Sequence, residues 1–194
     1  ARYGEMIYGH KGKNLYVNLF IPSTLDWNGT MIEQQTAFPE EEGTTLVVSP
    51  EMGKKAFAMH VRIPKWADKS LVRVTVNGEQ QNLDIKDGYA VVNRTWKKGD
   101  KLHIAMPMHL YTIGLPDGSA NYSFMYGPVV LASSLGKQQQ DGMYADDSRG
   151  GHIANGPRWS LQNMPVIVGD KDKVIEKIQK VEGKPLTFKL SGVY

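Results

Sequence analysis

The chain has no cysteine anywhere in its 194 residues. That absence removes disulfide bonds, thiolate zinc sites and a cysteine nucleophile together. It is compatible with the cytoplasm and with a bacterial periplasm alike. No apolar run approaches the roughly 18 residues of a membrane helix, and no basic-then-apolar leader stands at the start. Charge of one sign is scarce too. A net charge of +3 with no basic cluster among aromatics argues against nucleic-acid and membrane partners. The opening Ala1-Arg2-Tyr3, without Met, reads as a piece excised from a longer protein.

What remains is ordinary globular composition, 41% hydrophobic and 22% charged. The length suffices for one large sandwich or two small β modules. The organising stretch is Asn14 to Pro22, where Leu15, Val17, Leu19 and Ile21 alternate with Tyr16, Asn18 and Phe20. A period of two predicts a strand with its aliphatics on one face, ended by Pro22. Residues 1–13 lack this alternation and read as the tail of something N-terminal. Trp27-Asn28-Gly29-Thr30 is a turn into a strand from Met31 to Thr36, and Glu40-Glu41-Glu42-Gly43 is a solvated acidic loop ahead of Thr44 to Ser49.

The clearest pattern lies between 56 and 107. Phe57, Met59, Val61 and Ile63 alternate with Ala58, His60 and Arg62; Val72, Val74 and Val76 follow, and then the hairpin pair Asn77-Gly78. Asp87-Gly88 introduces a strand over Tyr89 to Thr95. Lys97-Lys98-Gly99-Asp100 turns into another over Lys101 to Met106, with His103 on the polar face. Short strands at this spacing, joined by glycine turns, predict an all-β fold: an antiparallel, jelly-roll-like β-sandwich over 14–135. A well-buried strand is expected in Tyr126 to Ala132, and a long polar loop or linker over Gly136 to Gly156. Val166-Ile167-Val168, Lys173 to Val181 (helix or strand) and Leu186 to Leu190 then make residues 136–194 a second, smaller or incomplete β module.

The chemistry is sparse. There is no phosphate-binding glycine loop, no His-Glu-x-x-His and no Gly-x-Ser-x-Gly. His10, His60, His103, His109 and His152 do not share a ligand spacing, and His60 and His103 read as outward-facing strand residues. Glu33, Glu41, Asp117 and Asp147 are candidates for a glycosidase carboxylate pair on residue type alone. Asp146-Asp147-Ser148 has oxygen donors without calcium-loop spacing. Trp66 and Trp96 follow well-formed strands and read as packing residues. Trp27 and Trp159 lie in loops, where an indole serves either packing, the commoner use, or stacking on a sugar.

Four segments carry a resemblance in order. They are Leu15-Tyr16-Val17-Asn18-Leu19-Phe20-Ile21-Pro22-Ser23; Val61-Arg62-Ile63-Pro64-Lys65-Trp66 with Val74-Thr75-Val76-Asn77-Gly78; Gly88-Tyr89 with Arg94 to Asp100 and Met106-Pro107-Met108; and Tyr126-Gly127-Pro128-Val129-Val130-Leu131-Ala132. Together they resemble the region behind the catalytic barrel of glycoside hydrolase family 127, β-L-arabinofuranosidases and relatives long catalogued as a domain of unknown function. The resemblance implies an active site in an N-terminal α/α barrel, with a zinc-bound Cys as proposed nucleophile and a Glu among the zinc ligands. Without Cys, none of those residues can be carried over: the chain itself is assigned no catalytic residue, no metal ligand and no cofactor, and zinc belongs to the absent barrel. The implied partners are that barrel, of which residues 1–13 would be the exit, and a second copy through dimer contacts. The expected role is therefore a non-catalytic, structural β-sandwich of a hydrolase acting on plant-type glycans. The rival is a carbohydrate-binding module that presents Trp27 and Trp159 to sugars.

Overall fold

The computed structural model describes residues 3–133 and 169–191, with the backbone of 144–145 and 154–155. The chain divides into two units, Ala1–Tyr111 with Met125–Val129, and Thr112–Phe124 with Val130–Tyr194.

The first unit opens with a single helical turn, α1 (Tyr3–Met6), followed by β1 (Tyr8–Lys11), β2 (Asn14–Val17), β3 (Ser23–Asp26), β4 (Thr30–Gln35) and β5 (Gly43–Pro50). Then come β6 (Lys54–Arg62), β7 (Arg73–Val76), β8 (Glu79–Gln80), β9 (Asp84–Lys86), β10 (Tyr89–Lys97) and β11 (Asp100–Ala105). They form a five-stranded sheet in the order β1-β2-β6-β10-β9 and a six-stranded sheet in the order β3-β4-β5-β11-β7-β8. The chain passes repeatedly from one sheet to the other, the connectivity of a sandwich. All these pairings are antiparallel except β2 with β6, which run parallel with Tyr16 opposite His60.

Inward side chains of both sheets make one core. Leu15, Val17, Met59, Val61 and Trp96 come from one sheet, and Ile32, Leu46, Val48, Val74, Leu102 and Ile104 from the other. Strand β4 shows the expected alternation, with Thr30, Ile32 and Gln34 in and Met31, Glu33 and Gln35 out. The buried Gln34 is satisfied: its amide donates to the Leu19 carbonyl at 3.1 Å, and its oxygen accepts from the Tyr8 hydroxyl at 3.2 Å. The three turns read from sequence take up the left-handed backbone that glycine and asparagine tolerate, at Asn77-Gly78, Asp87-Gly88 and Gly99.

Four expectations are corrected. The stretch from Asn14 to Pro22 is not one strand. It is a strand to Val17 and then a crossover, because the Asn18 and Leu19 amides both turn to the Ile7 carbonyl, at 2.8 and 3.4 Å. The alternation inverts beyond that point, so Phe20 is buried and Ile21 exposed. Second, Tyr8–Lys11 is the edge strand of the five-stranded sheet, paired with β2 through the turn at Gly12. Third, Glu42 is only partly exposed: its carboxylate accepts from the Met108 amide at 3.2 Å and from the Tyr126 hydroxyl. Fourth, the run from Tyr126 to Ala132 is broken at Gly127 (φ 53°), and Val130 is 59% exposed.

Beyond the sandwich, β12 (Leu110–Gly114), β13 (Tyr122–Tyr126) and β14 (Val129–Val130) form a three-stranded sheet. In the second unit β15 (Tyr144–Ala145) pairs with β16 (Ala154–Asn155), inside the stretch expected to be loop. Helix α2 (Lys171–Ile175) is capped by Asp170, whose carboxylate accepts from the Asp172 amide at 2.9 Å. Strand β17 (Ile178–Lys180) then pairs with β18 (Phe188–Leu190), so helix and strand both occur where sequence left the choice open. Trp159, Asp146-Asp147-Ser148, His152, Val166-Ile167-Val168 and the boundary at 135–136 lie outside the described residues.

Candidate functional site

Of the carboxylates singled out from sequence, Asp147 lies outside the described residues, and Glu33, Glu41 and Asp117 occupy structural or exposed positions. Glu33 faces out from β4 and accepts from the Gln35 amide at 2.9 Å. Glu41 is exposed. Asp117 closes a turn by accepting from the Ser119 amide at 2.9 Å, and those Ser119 bonds hold its carboxyl below the usual range. Among the described residues no three His, Asp or Glu come together as a metal-ligand set.

Two grooves in the first unit carry aromatic side chains. The first has a volume of about 540 Å³ and is lined by Lys13, Trp27, Asn28, Lys55 and Phe57. Trp27 begins a two-residue turn in which Asn28 (φ 51°) and Gly29 (φ 63°) are both left-handed. The turn closes by reciprocal bonds of 3.0 Å between Trp27 and Thr30. The indole is half-buried and meets the Phe57 ring nearly perpendicularly, 5.3 Å between centres and 78° between planes. Trp66 stacks on Phe38 at 6.3 Å, and Trp96 is wholly buried.

The second groove, about 460 Å³, lies on the outer face of the five-stranded sheet and involves Lys11, Asn14, Tyr16, His60, Lys86 and Tyr89. His60 faces outward on its strand, as read from sequence, yet it is only 8% exposed. Its ring stacks on Tyr16 at 4.3 Å and 17°, and Tyr89 covers it at 6.4 Å. Outward orientation on a strand does not mean solvation when both neighbouring strands carry aromatics. Tyr16 and Tyr89 were not singled out from sequence; Tyr16 stands opposite His60, and Tyr89 lies diagonal to it, opposite Arg62. His103, by contrast, is exposed as expected, with its Nδ1 3.0 Å from the Thr45 hydroxyl.

Burial pushes His60 below the ordinary imidazole range, Lys86 adds to the effect and Asp84 opposes it. The folded chain therefore binds this proton more weakly than the unfolded chain. Stability is complete above about pH 6.5 and falls as pH drops from there through the lower folded pKa. We expect the melting midpoint to decline between about pH 7 and pH 5, with a shallower decline in His60→Phe. An equal decline in that variant would assign the effect to another group.

Comparison with known proteins gives these grooves a context. Residues 14–108 match the family described as beta-L-arabinofuranosidase, GH127 middle domain, and residues 111–194 match a domain of unknown function. A solved GH127 beta-L-arabinofuranosidase from Geobacillus stearothermophilus T6 is 32% identical with a TM-score of 0.58, over 66% of this chain and 21% of that one. A GH127 beta-arabinofuranosidase is 28% identical with a TM-score of 0.54, over 64% and 23%. A further structure, described as a glycoside hydrolase, is 28% identical with a TM-score of 0.55, over 64% and 22%. This chain spans about a fifth of the length of these solved relatives. No curated protein matches it. The chain thus resembles the β-sandwich region of glycoside hydrolase family 127, with residues 14–108 corresponding to that family's middle domain.

Proposed function

We propose that this chain is a non-catalytic accessory part of a glycoside hydrolase, and that the whole protein is a β-L-arabinofuranosidase-like enzyme acting on plant-type glycans. The observation that carries the reading is the match of 14–108 to a middle domain of enzymes about five times as long. A middle domain works against neighbours. Tyr3 and Met6 are 65% and 60% exposed, and the adjacent Ile7 carbonyl holds the crossover that leads to exposed Ile21. Exposed Tyr3 and Met6 at the entry to the sandwich suit cover by a preceding catalytic barrel. In this reading Trp27 serves packing, since its ring rests on the buried Phe57.

The test is hydrolysis of a chromogenic arabinofuranoside by the chain alone and by the longer protein that contains it. The expected result is no release above buffer for the chain and turnover by the longer protein. Turnover by the 194-residue chain itself would overturn the accessory reading.

A further inference from the structure

The second unit holds a groove larger than either of those in the sandwich, about 820 Å³, within the roughly 300–1,000 Å³ of small-molecule sites. Its apolar lining is Phe124, Leu131 and Val174. Leu131 is pinned beside Phe124 by a 2.8 Å bond from its amide to the Phe124 carbonyl, and Val174 is the one buried residue of helix α2. Tyr122 lines the groove as well, yet 44% of it stays exposed. Its ring is seated against β12 where that strand has no side chain. A Cβ at Gly114 would lie 3.4 Å from the ring's Cε1 and 3.6 Å from its Cδ1. Glycine within a strand often marks such a close approach. The ring is thereby fixed on one side while much of it remains accessible.

The polar lining is mixed. Asp170 spends one carboxylate oxygen on the helix cap and Asp172 spends one on the Lys171 ammonium at 2.8 Å, so each keeps a second acceptor. That ammonium lies 5.9 Å from the centre of the Tyr122 ring, and the Asn121 amide adjoins it in sequence. Two carboxylates against one ammonium disfavour an anionic ligand. A wholly apolar ligand would strip water from those carboxylates without replacing its hydrogen bonds. A sugar meets both conditions, with an apolar C–H face for an aromatic ring and hydroxyls that donate to carboxylates and accept from an ammonium or amide. We propose that this groove binds a neutral glycan, one sugar ring resting on Tyr122 and its hydroxyls held by Asp170, Asp172, Asn121 and Lys171. The site is separate from the Trp27 groove.

The test is affinity electrophoresis of the 194-residue chain, run toward the cathode in gels containing a soluble neutral arabinan or a soluble β-glucan. Neutral polymers keep the chain's net charge of +3 from producing retardation by itself. Retardation is expected in at least one gel, and Tyr122→Ala should lower the affinity it reports about tenfold. Tyr122→Phe keeps the ring and should stay within about threefold of wild type. The Asp172 side chain is 72% exposed, so Asp172→Ala removes an acceptor without touching the core, with an expected loss of about threefold or more. Unchanged migration of the wild type in both gels overturns the proposal. So does full retardation of Tyr122→Ala or Asp172→Ala, or a loss in Tyr122→Phe as large as that in Tyr122→Ala. The choice of polymers rests on the accessory reading, but the two fail separately: hydrolysis by the chain would sink that reading and leave this site standing.

Discussion

Trp96→Ala should lower the free energy of unfolding by about 3–5 kcal/mol, read as a fall in the urea midpoint at constant slope. Trp96 is 0% exposed and is the largest fully buried side chain. It sits on β10, paired with β6 through Lys55, where the two sheets share their core. Three contacts hold the indole. Its N–H donates to the Phe57 carbonyl at 3.0 Å, the Phe57 ring packs at 5.7 Å, and the Arg94 guanidinium lies 5.3 Å over its face. Alanine removes the transfer energy of the ring, opens a cavity that rigid strands cannot close, and leaves the carbonyl without its partner. Trp96→Phe separates these contributions. It keeps much of the apolar volume but loses the donor, so it should cost about 1–3 kcal/mol. A loss below about 1 kcal/mol for Trp96→Ala would mean that the two sheets do not close over this residue.

How much of this was legible follows from where each pattern was written. Strands β4, β10 and β11 could be read because each alternates against a single buried face, whereas β6 alternates in sequence but is buried on both faces from Phe57 to Val61. The crossover at Asn18 could not. Its trigger is the Ile7 carbonyl, a backbone group that no side-chain periodicity records. Strand β1 was hidden for a similar reason: Tyr-Gly-His-Lys has no apolar alternation, and its ladder is imposed by β2. Val129 and Val130 misled in the other direction, since an apolar run cannot reveal that Gly127 breaks it beforehand. At the candidate site the residue types were visible and their meeting was not. Tyr16, His60 and Tyr89 are far apart in sequence, and only the parallel pairing of β2 with β6 and the antiparallel pairing of β6 with β10 bring them to one place.

The family resemblance and the physical reading are complementary here. The resemblance ties residues 14–108 to the GH127 middle domain, whereas the strands themselves show how the two sheets hold together. They do so by committing inward apolar residues of both sheets to one core. Asp117 and Glu33, two of the carboxylates singled out from sequence, serve a turn and the sheet surface.

Asp100→Ala is the second large expected loss, about 2–4 kcal/mol. Asp100 is 7% exposed and opens β11 at the turn where the chain crosses between sheets. One carboxylate oxygen accepts from the Asn77 amide at 3.0 Å, and the other accepts from the Lys97 backbone N–H at 2.9 Å with Arg94 3.6 Å away. Asn77 in turn accepts from the Lys101 amide at 2.8 Å, so a single carboxylate ties the β7–β8 turn to the β10–β11 turn. Burial alone would raise its pKa, but the Asn77 and Lys97 bonds and the Arg94 and Lys97 charges outweigh it, and the carboxyl titrates below its usual range. The stabilisation is therefore fully present above the unfolded value near pH 4 and is lost as pH falls through the lower folded pKa. Asp100→Asn offers one acceptor and turns an N–H₂ toward an existing donor, so it should also destabilise at pH 7, by about 1–3 kcal/mol. The deficit of Asp100→Asn relative to wild type should narrow as pH falls below about 4, because the wild-type carboxyl then becomes neutral as well. A deficit that stays constant across that range would place the cost in packing rather than in the charge that joins the two turns.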